Sequence, residues 1–334
     1  MPTTAATGTA QVTTDTTAFD RGYRYALRSQ LHFDRLADVQ PVNQTHPGSI
    51  VTFNLGNDFA VATTPLTELA DVSPVAGSDT SVNVTLNEYG NTTAISAKLR
   101  GTNYIREMVR ASNEMGYNAG RSFDTLARDP LLAGTNVLYA DNYNSALTGT
   151  SRVTTVAADV FQANAARLAF VRLVNANVVP FDGGLYKAMV APEVAYDLRI
   201  ETGAAAWREP HVNAGDPDAV DPIWNGSIGT FEGFDWISAQ RLSAAELPSG
   251  FVNGGVGALV DVYPTVFLGR EALAKVFASE DGVSGASPAL VDAPVTDNLR
   301  RFRGIGWYWL GGFGRFREAS IYRVESASSI GANT

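Results

Sequence analysis

The chain holds no cysteine and three histidines, His32, His46 and His211, set far apart. Disulfides, thiolate metal sites and cysteine nucleophiles are excluded outright, and a zinc site would need all three imidazoles to converge. Oxygen ligands are better supplied. Asp216, Asp218 and Asp221 crowd a proline-rich turn that could attract calcium, but the spacing and closing Glu of an EF-hand are missing, so they read as a solvated loop. Gly226, Gly229 and Gly233 suggest a phosphate loop only loosely, because no Lys-Ser or Lys-Thr follows them. Gly254-Gly255-Val256-Gly257 precedes an apolar run, whereas a dinucleotide fingerprint follows a strand. No Gly-x-Ser-x-Gly elbow occurs, no histidine has a general-base context, and no spacing singles out a carboxylate pair. The expectation is a chain with no catalytic, cofactor-binding or metal-ligating residue.

Bulk properties narrow the field further. A net charge of −9 and a pI near 4.9 argue against a protein whose work is to neutralise nucleic-acid phosphates. The aromatic C-terminal run (Trp307, Tyr308, Trp309, Phe313, Phe316, Tyr322) could stack on bases, but its alternation favours a core sheet. No basic segment followed by an apolar run opens the chain, and no stretch reaches the roughly 18 apolar residues of a membrane helix. A soluble protein folded in a cytoplasm, without membrane contact, is expected. The Asn-x-Ser/Thr triplets at Asn43, Asn83, Asn91 and Asn225 are then chance matches.

The elements that would hold any site are mixed. Residues 1–18, mostly Thr, Ala and Gly, cannot bury enough to offset their ordering entropy and read as a mobile arm, frayed or lying on a neighbour. Phe19 to Asp38 is helix-compatible, and Pro41 and Pro47 bracket an extended connector. Between Gly48 and Leu99 lies a long hairpin. Its first arm is Ser49–Leu55, continuing through Phe59–Val61; its second, Ser81–Tyr89, alternates polar and apolar residues. A lone two-stranded ribbon is marginal in water, and no covering layer is evident beside it, so its apolar face is expected to meet another copy of the chain.

Asn103 to Asp129 is the strongest helix, capped by Thr102 or Asn103 and ended at Asp129-Pro130, with Gly116 and Gly120 marking a close approach or a bend. Further helices are expected at Ala157–Val174, from Pro192 to near Trp207 and at Arg270–Ala278. Strands are expected at Leu185–Ala191, Gly229–Ile237, Leu259–Leu268, Ile305–Leu310 and Ala319–Val324, the last two flanking a Gly311–Gly314 turn. The sum is α+β without Rossmann or barrel alternation.

The order of these parts resembles tailed-phage major capsid proteins of the HK-ninety-seven-type fold, and in particular their N-four-like subfamily. The resemblance rests on Thr63-Thr64-Pro65-Leu66-Thr67-Glu68, Glu88-Tyr89-Gly90, Val190-Ala191-Pro192 with Tyr196-Asp197-Leu198-Arg199, and Val266-Phe267-Leu268-Gly269-Arg270-Glu271-Ala272, in this order across residues 45 to 325. It implies an N-terminal arm over 1–47 and an extended loop over 48–99 that reaches across an adjacent subunit. A peripheral domain over 100–180 would contain the spine helix 103–129, followed by a mainly axial domain over 181–290 and a C-terminal return over 291–334. Phe53, Leu55, Pro65, Leu66, Glu68, Val82, Val84, Leu86 and Tyr89 are the expected inter-subunit contacts. Of the three lysines only Lys98 lies in the hairpin, at its base, so the Lys-to-Asn cross-link of some relatives is not expected.

The function so implied is that of a non-enzymatic subunit. It would self-assemble as hexamers and pentamers into an icosahedral virion shell, in a bacterial host's cytoplasm, around double-stranded DNA held without sequence-specific contacts. Portal, scaffold or decoration proteins would be its partners. An encapsulin-like compartment shell and a β-rich fibre or adhesin subunit are the alternatives.

Overall fold

The computed structural model describes residues 32–39, 48–57, 59–66, 68, 71–103, 107–140, 151–181, 183–202, 227–278, 285–293, 297–299 and 301–330. The arm expected for 1–18, the helical stretch before 32, the continuation toward Trp207 and the Asp216–Asp221 turn lie outside them. Among the described residues, strands form two mixed sheets and one ribbon. The larger sheet runs β5 (Val137–Tyr139), β13 (Ile321–Ser326), β9 (Tyr263–Leu268), β6 (Tyr186–Val190), β8 (Phe234–Ser238), β7 (Ser227–Phe231). The second sheet is built on β12 (Phe302–Arg315). β4 (Asn87–Ser96) pairs along one edge of β12, while β11 (Ala289–Ala293) and β10 (Leu273–Phe277) share the other; β1 (Ala37–Val39) adds beyond β10. β2 (Ile50–Gly56) and β3 (Asp79–Thr85) make the ribbon. The helices are α1 (Ala97–Thr102), α2 (Glu107–Leu132), α3 (Ala163–Asn175) and α4 (Pro192–Ile200).

The larger sheet carries the main core. Every residue of β9 is buried, as expected of a strand covered on both faces. Phe161, Phe234, Trp236 and Phe267 interlock beside it, Phe234 and Phe267 with ring centroids 4.6 Å apart. Ala163, Ala166, Ala169 and Leu173 of α3 join the same core at helical spacing. Pro192 opens α4 at its first turn, where a missing N–H costs nothing.

α2 lies across the second sheet. Its buried residues, from Ala111 through Gly116, Ala119, Gly120, Phe123 and Ala127 to Leu131, follow the three-and-four spacing of one face. Gly116 and Gly120 are both on that buried face, as a close approach requires. Phe123 meets Trp309 edge-on at 4.7 Å, and the Trp307 indole N–H donates to Asn118 at 2.8 Å. The helix passes through Pro130 to Leu132, rather than ending at Asp129. Only the last turn is affected, the Ala133 N–H still reaches the Asp129 carbonyl, and Leu131 and Leu132 gain burial by continuing. At its other end the caps serve α1 instead: Ser96 caps it, and the Asn103 N–H closes on Leu99.

Several expected elements fold differently. Arg270–Ala278, rich in helix formers, contains the strand β10, because pairing with β12 and burial of Leu273, Ala274 and Val276 outweigh propensity. Gly311–Gly314 is no turn; β12 runs straight through it. Gly229–Ile237 is a hairpin, β7 turning at Glu232-Gly233 into β8. The strand expected from Leu259 begins at Tyr263, the helix expected from Ala157 begins at Ala163, and the first hairpin arm stops at Gly56 instead of resuming at Phe59.

A charged cluster is sealed between β13 and the loops. Glu325 is fully buried and accepts from Arg152 at 2.7 and 2.8 Å and from Arg323 at 2.8 Å; Arg152 also stacks 3.6 Å above the Phe251 ring. Burial holds the Arg323 guanidinium below its ordinary value although Glu325 opposes the shift. Glu325→Gln removes the anion both arginines share, so unfolding free energy should fall by about 3–5 kcal/mol, read as a lower urea midpoint at unchanged slope. A midpoint equal to the parent's would show that the cluster adds no stability.

Candidate functional site

The ribbon is fastened to the sheet by one face. Register pairs Val51 with Val84 and Phe53 with Val82, and period-two alternation turns these apolar residues to the same side. Val84 is 1% exposed, packed on Ala274 and Val276 of β10, while the Phe53 ring meets Phe316 edge-on at 5.8 Å. Glycines in β12 admit this seat: a Cβ on Gly312 would fall 2.2 Å from the Thr85 carbonyl, and one on Gly314 2.6 Å from Val84. The cover expected from a second copy is therefore supplied, at the ribbon base, by the chain itself. Val84 has no surface left for a neighbour. Tyr89 is outside the ribbon altogether; the second arm breaks after Thr85, and Tyr89 stacks on Trp309 as part of β4. Leu86 and Phe53 are half-buried against the same chain.

Beyond the base no described residue covers the loop. Thr80 and Asn57, with Asn57 and Ser78, close the neck by side-chain hydrogen bonds of 3.1 Å. Past that neck Phe59, Val61, Leu66, Val72 and Val75 are 58–85% exposed. So many apolar side chains on one excursion mark a surface that is meant to be covered. Pro65, Leu66 and Glu68 lie here, all exposed. Leu55 and Val82 instead line a groove of about 670 Å³ between the ribbon and the 315–318 rim. Phe59, Val61, Val72 and Val75 were not singled out as contacts, because apolar residues in a loop follow no period, although Val72 and Val75 lie in the stretch from Pro65 to Gly77 expected at the reaching end of the hairpin.

The rim is held by Glu318, whose carboxylate accepts from the Thr135 N–H at 2.5 Å, the Thr135 hydroxyl at 3.0 Å and Arg315 at 2.9 Å. Burial opposes its ionisation, yet those hydrogen bonds and the Arg315 charge together keep it below the ordinary carboxylate value.

The N-terminal side is equally fixed. Residues 32–39, inside the arm expected over 1–47, belong to the core: Phe33 is fully buried, and the buried Asp124 carboxylate of α2 accepts from the His32 and Phe33 amides at 2.9 and 2.7 Å. Burial pushes the Asp124 carboxyl up, against the pull of those amides. Asp34 pairs with Lys275, which also sits 4.8 Å from the Phe123 ring centroid, and Ala37 pairs with Leu273. Burial and ladder pairing, absent from a free arm, cause the difference.

Among the described residues no group of three or more His, Asp or Glu could hold a metal ion, and no helix is long and apolar enough to cross a membrane. The arrangement is a packed ribbon base with an exposed apolar extension.

This architecture is the HK-ninety-seven-type capsid fold. The chain superposes on the Cyanophage Pam1 capsid with a TM-score of 0.66 at 14% identity, covering 91% of this chain and 92% of that one. The capsid of Ralstonia phage GP4 gives 0.67 at 14% identity over 90% of both chains. The head of Helicobacter pylori bacteriophage KHP40 gives 0.63 at 13% over 88% of both. No curated protein sequence matches. The phage capsid protein family model matches residues 3–330, and the chain belongs to that family. It is a major capsid protein, a structural subunit of the phage shell.

Because the folded state lowers the Glu318 pKa, that carboxylate contributes stability above its ordinary value of 4.5 and loses it as pH falls through the lower folded value. Glu318→Gln should therefore melt below the parent at pH 7 and converge with it in acid. A gap that persists unchanged at the lowest pH would show that the ionised clamp is not its source.

Proposed function

We propose that hundreds of copies of this chain form an icosahedral shell of pentamers and hexamers around double-stranded DNA, each copy clasping the next with the loop beyond Gly56. The carrying observation is the asymmetry of the ribbon: its base is buried in its own chain, while its far end exposes five large apolar side chains. A monomer gains nothing from such an extension, whereas a closed symmetric assembly buries it in every copy. Of the expected contacts, Pro65, Leu66 and Glu68 keep this role, and Leu55 and Val82 could meet a neighbour only through the groove they line.

In the same reading α2 is the spine of a peripheral domain completed by the C-terminal strand β12, and much of 181–290 supplies the axial contacts. The net charge of −9 suits a wall that must not grip the packaged DNA. Absence of catalysis, assembly in a bacterial cytoplasm, portal, scaffold and decoration partners, and the N-four-like subfamily belong to this reading too. Its support is the short segments at Thr63–Glu68 and Val266–Ala272.

Replacing residues 58–77 by an Asn-Gly turn, which suits a two-residue hairpin, should leave a folded subunit that no longer forms shells under electron microscopy. Full shells from this variant would overturn the clasp. A purified parent protein that stays a compact monomer at high concentration would overturn the shell itself.

A further inference from the structure

Charge along the chain is sharply segregated. Between Arg35 and Lys98 there is no Lys or Arg, while Asp38, Asp58, Glu68, Asp71, Asp79 and Glu88 all fall in this interval. The described part of the reaching loop is thus both apolar and purely acidic, with Glu68 and Asp71 next to Leu66 and Val72. The first cations to follow, Lys98 and Arg100, sit on α1.

That helix has an unusual status. It spans six residues and buries none of them. An isolated helix in water needs roughly 12–15 residues to be even marginal, so α1 lacks both length and packing. It is held by the Ser96 cap, and its first N–H donates to the Arg301 carbonyl at 2.6 Å. Through that bond α1 adjoins the start of β12, where Leu299 is 71% and Phe302 45% exposed and Arg301 lies 5.5 Å from the Phe302 ring. Leu99, Leu299 and Phe302 are exposed apolar residues on the two segments that this bond joins, with Lys98, Arg100 and Arg301 beside them along the chain. Nearby acids are partly committed: Asp297 pairs with Arg301 at 3.1 Å, Asp292 with Arg303 at 3.0 Å, and Glu107 accepts from Asn103. Among the described residues Lys98 and Arg100 form no ion pair.

Loop and patch lie at opposite ends of one run. Thr85 sits against Gly312 near the end of β12, whereas Ser96 pairs with Phe302 at its start. At about 3.3 Å per residue, β3 and β4 together span on the order of 50 Å. The seven-pair register from Ile50–Thr85 to Gly56–Asp79 keeps the ribbon from folding back. The described part of the loop therefore lies far from the patch of its own copy.

We propose that the acidic, apolar loop around Leu66, Glu68 and Asp71 of one copy docks on the Lys98, Arg100 and Phe302 patch of the next. The contact is head-to-tail, which closes into a ring when the rotation per copy allows. It rests on the reading of the loop as a clasp and names where the clasp lands.

Charge reversal tests it. Lys98→Glu with Arg100→Glu, and separately Glu68→Lys with Asp71→Lys, should each cut shell yield by about tenfold or more in sedimentation, since like charges face each other across the contact. Circular dichroism and urea midpoints check that each variant is folded. All four changes in one chain restore opposite signs and should restore shells. Normal yield from the patch variant, or a fourfold variant as defective as the doubles, overturns the docking. If the patch variant forms normal shells that retain less DNA, the patch faces phosphate and the docking is likewise overturned. Failure of the clasp itself is separate: the loop-shortened chain would then still form shells.

Discussion

β12 is a strand with two unlike faces, and the arrangement of its neighbours follows from that. Its odd-numbered residues Trp307, Trp309 and Phe313 present bulk to α2, where Ala119 and Phe123 receive them. Its even-numbered Gly306, Gly312 and Gly314 present bare backbone on the opposite side, and Val84 settles on the last two. Period-two geometry makes these sets inseparable: shifting the strand by one residue would put Phe313 under the ribbon and Tyr308 in place of a tryptophan under the helix. Large aromatics contribute most of the burial on one side, each covering on the order of 150–250 Å². On the other side, close approach matters more than area.

Polar groups then fix what the apolar faces leave adjustable. Asp124 reaches from α2 to two amides of the N-terminal segment, and Lys275 meets Asp34 beneath the aromatic face. Glu325 gathers Arg152 and Arg323 at the seam between β13 and the loops. A buried charge without its partner is costly, so these contacts disfavour alternative packings more than they strengthen the chosen one. They also tie the segment that begins at Phe33 to α2 and β10.

The surface left over is incomplete in a specific way. The loop beyond Gly56 is apolar and acidic, the α1 region is apolar and basic, and they stand at opposite ends of one long strand run. Among the described residues neither is covered, and in the proposed clasp the missing cover is another copy of the same chain.

Much of this was legible in the residues. Helically spaced apolar residues specified a long helix over Asn103–Asp129, alternation specified the ribbon arms and the C-terminal sheet, and the lack of cysteine and of grouped histidines pointed away from catalysis before any fold was known. Those signals are local, set by backbone periods and side-chain chemistry. Other features were not local. Arg270–Ala278 has helical propensity yet becomes β10 because β12 and Asp34 are waiting for it. Gly311–Gly314 looks like a turn but is the floor on which the ribbon rests. Val84 looked like a contact for a neighbour, and its own chain covers it. The sequence alone determined most of the elements, the family resemblance and the presence of a long hairpin. Only the tertiary structure decided which part of that hairpin is free, because burial depends on partners that lie hundreds of residues away along the chain.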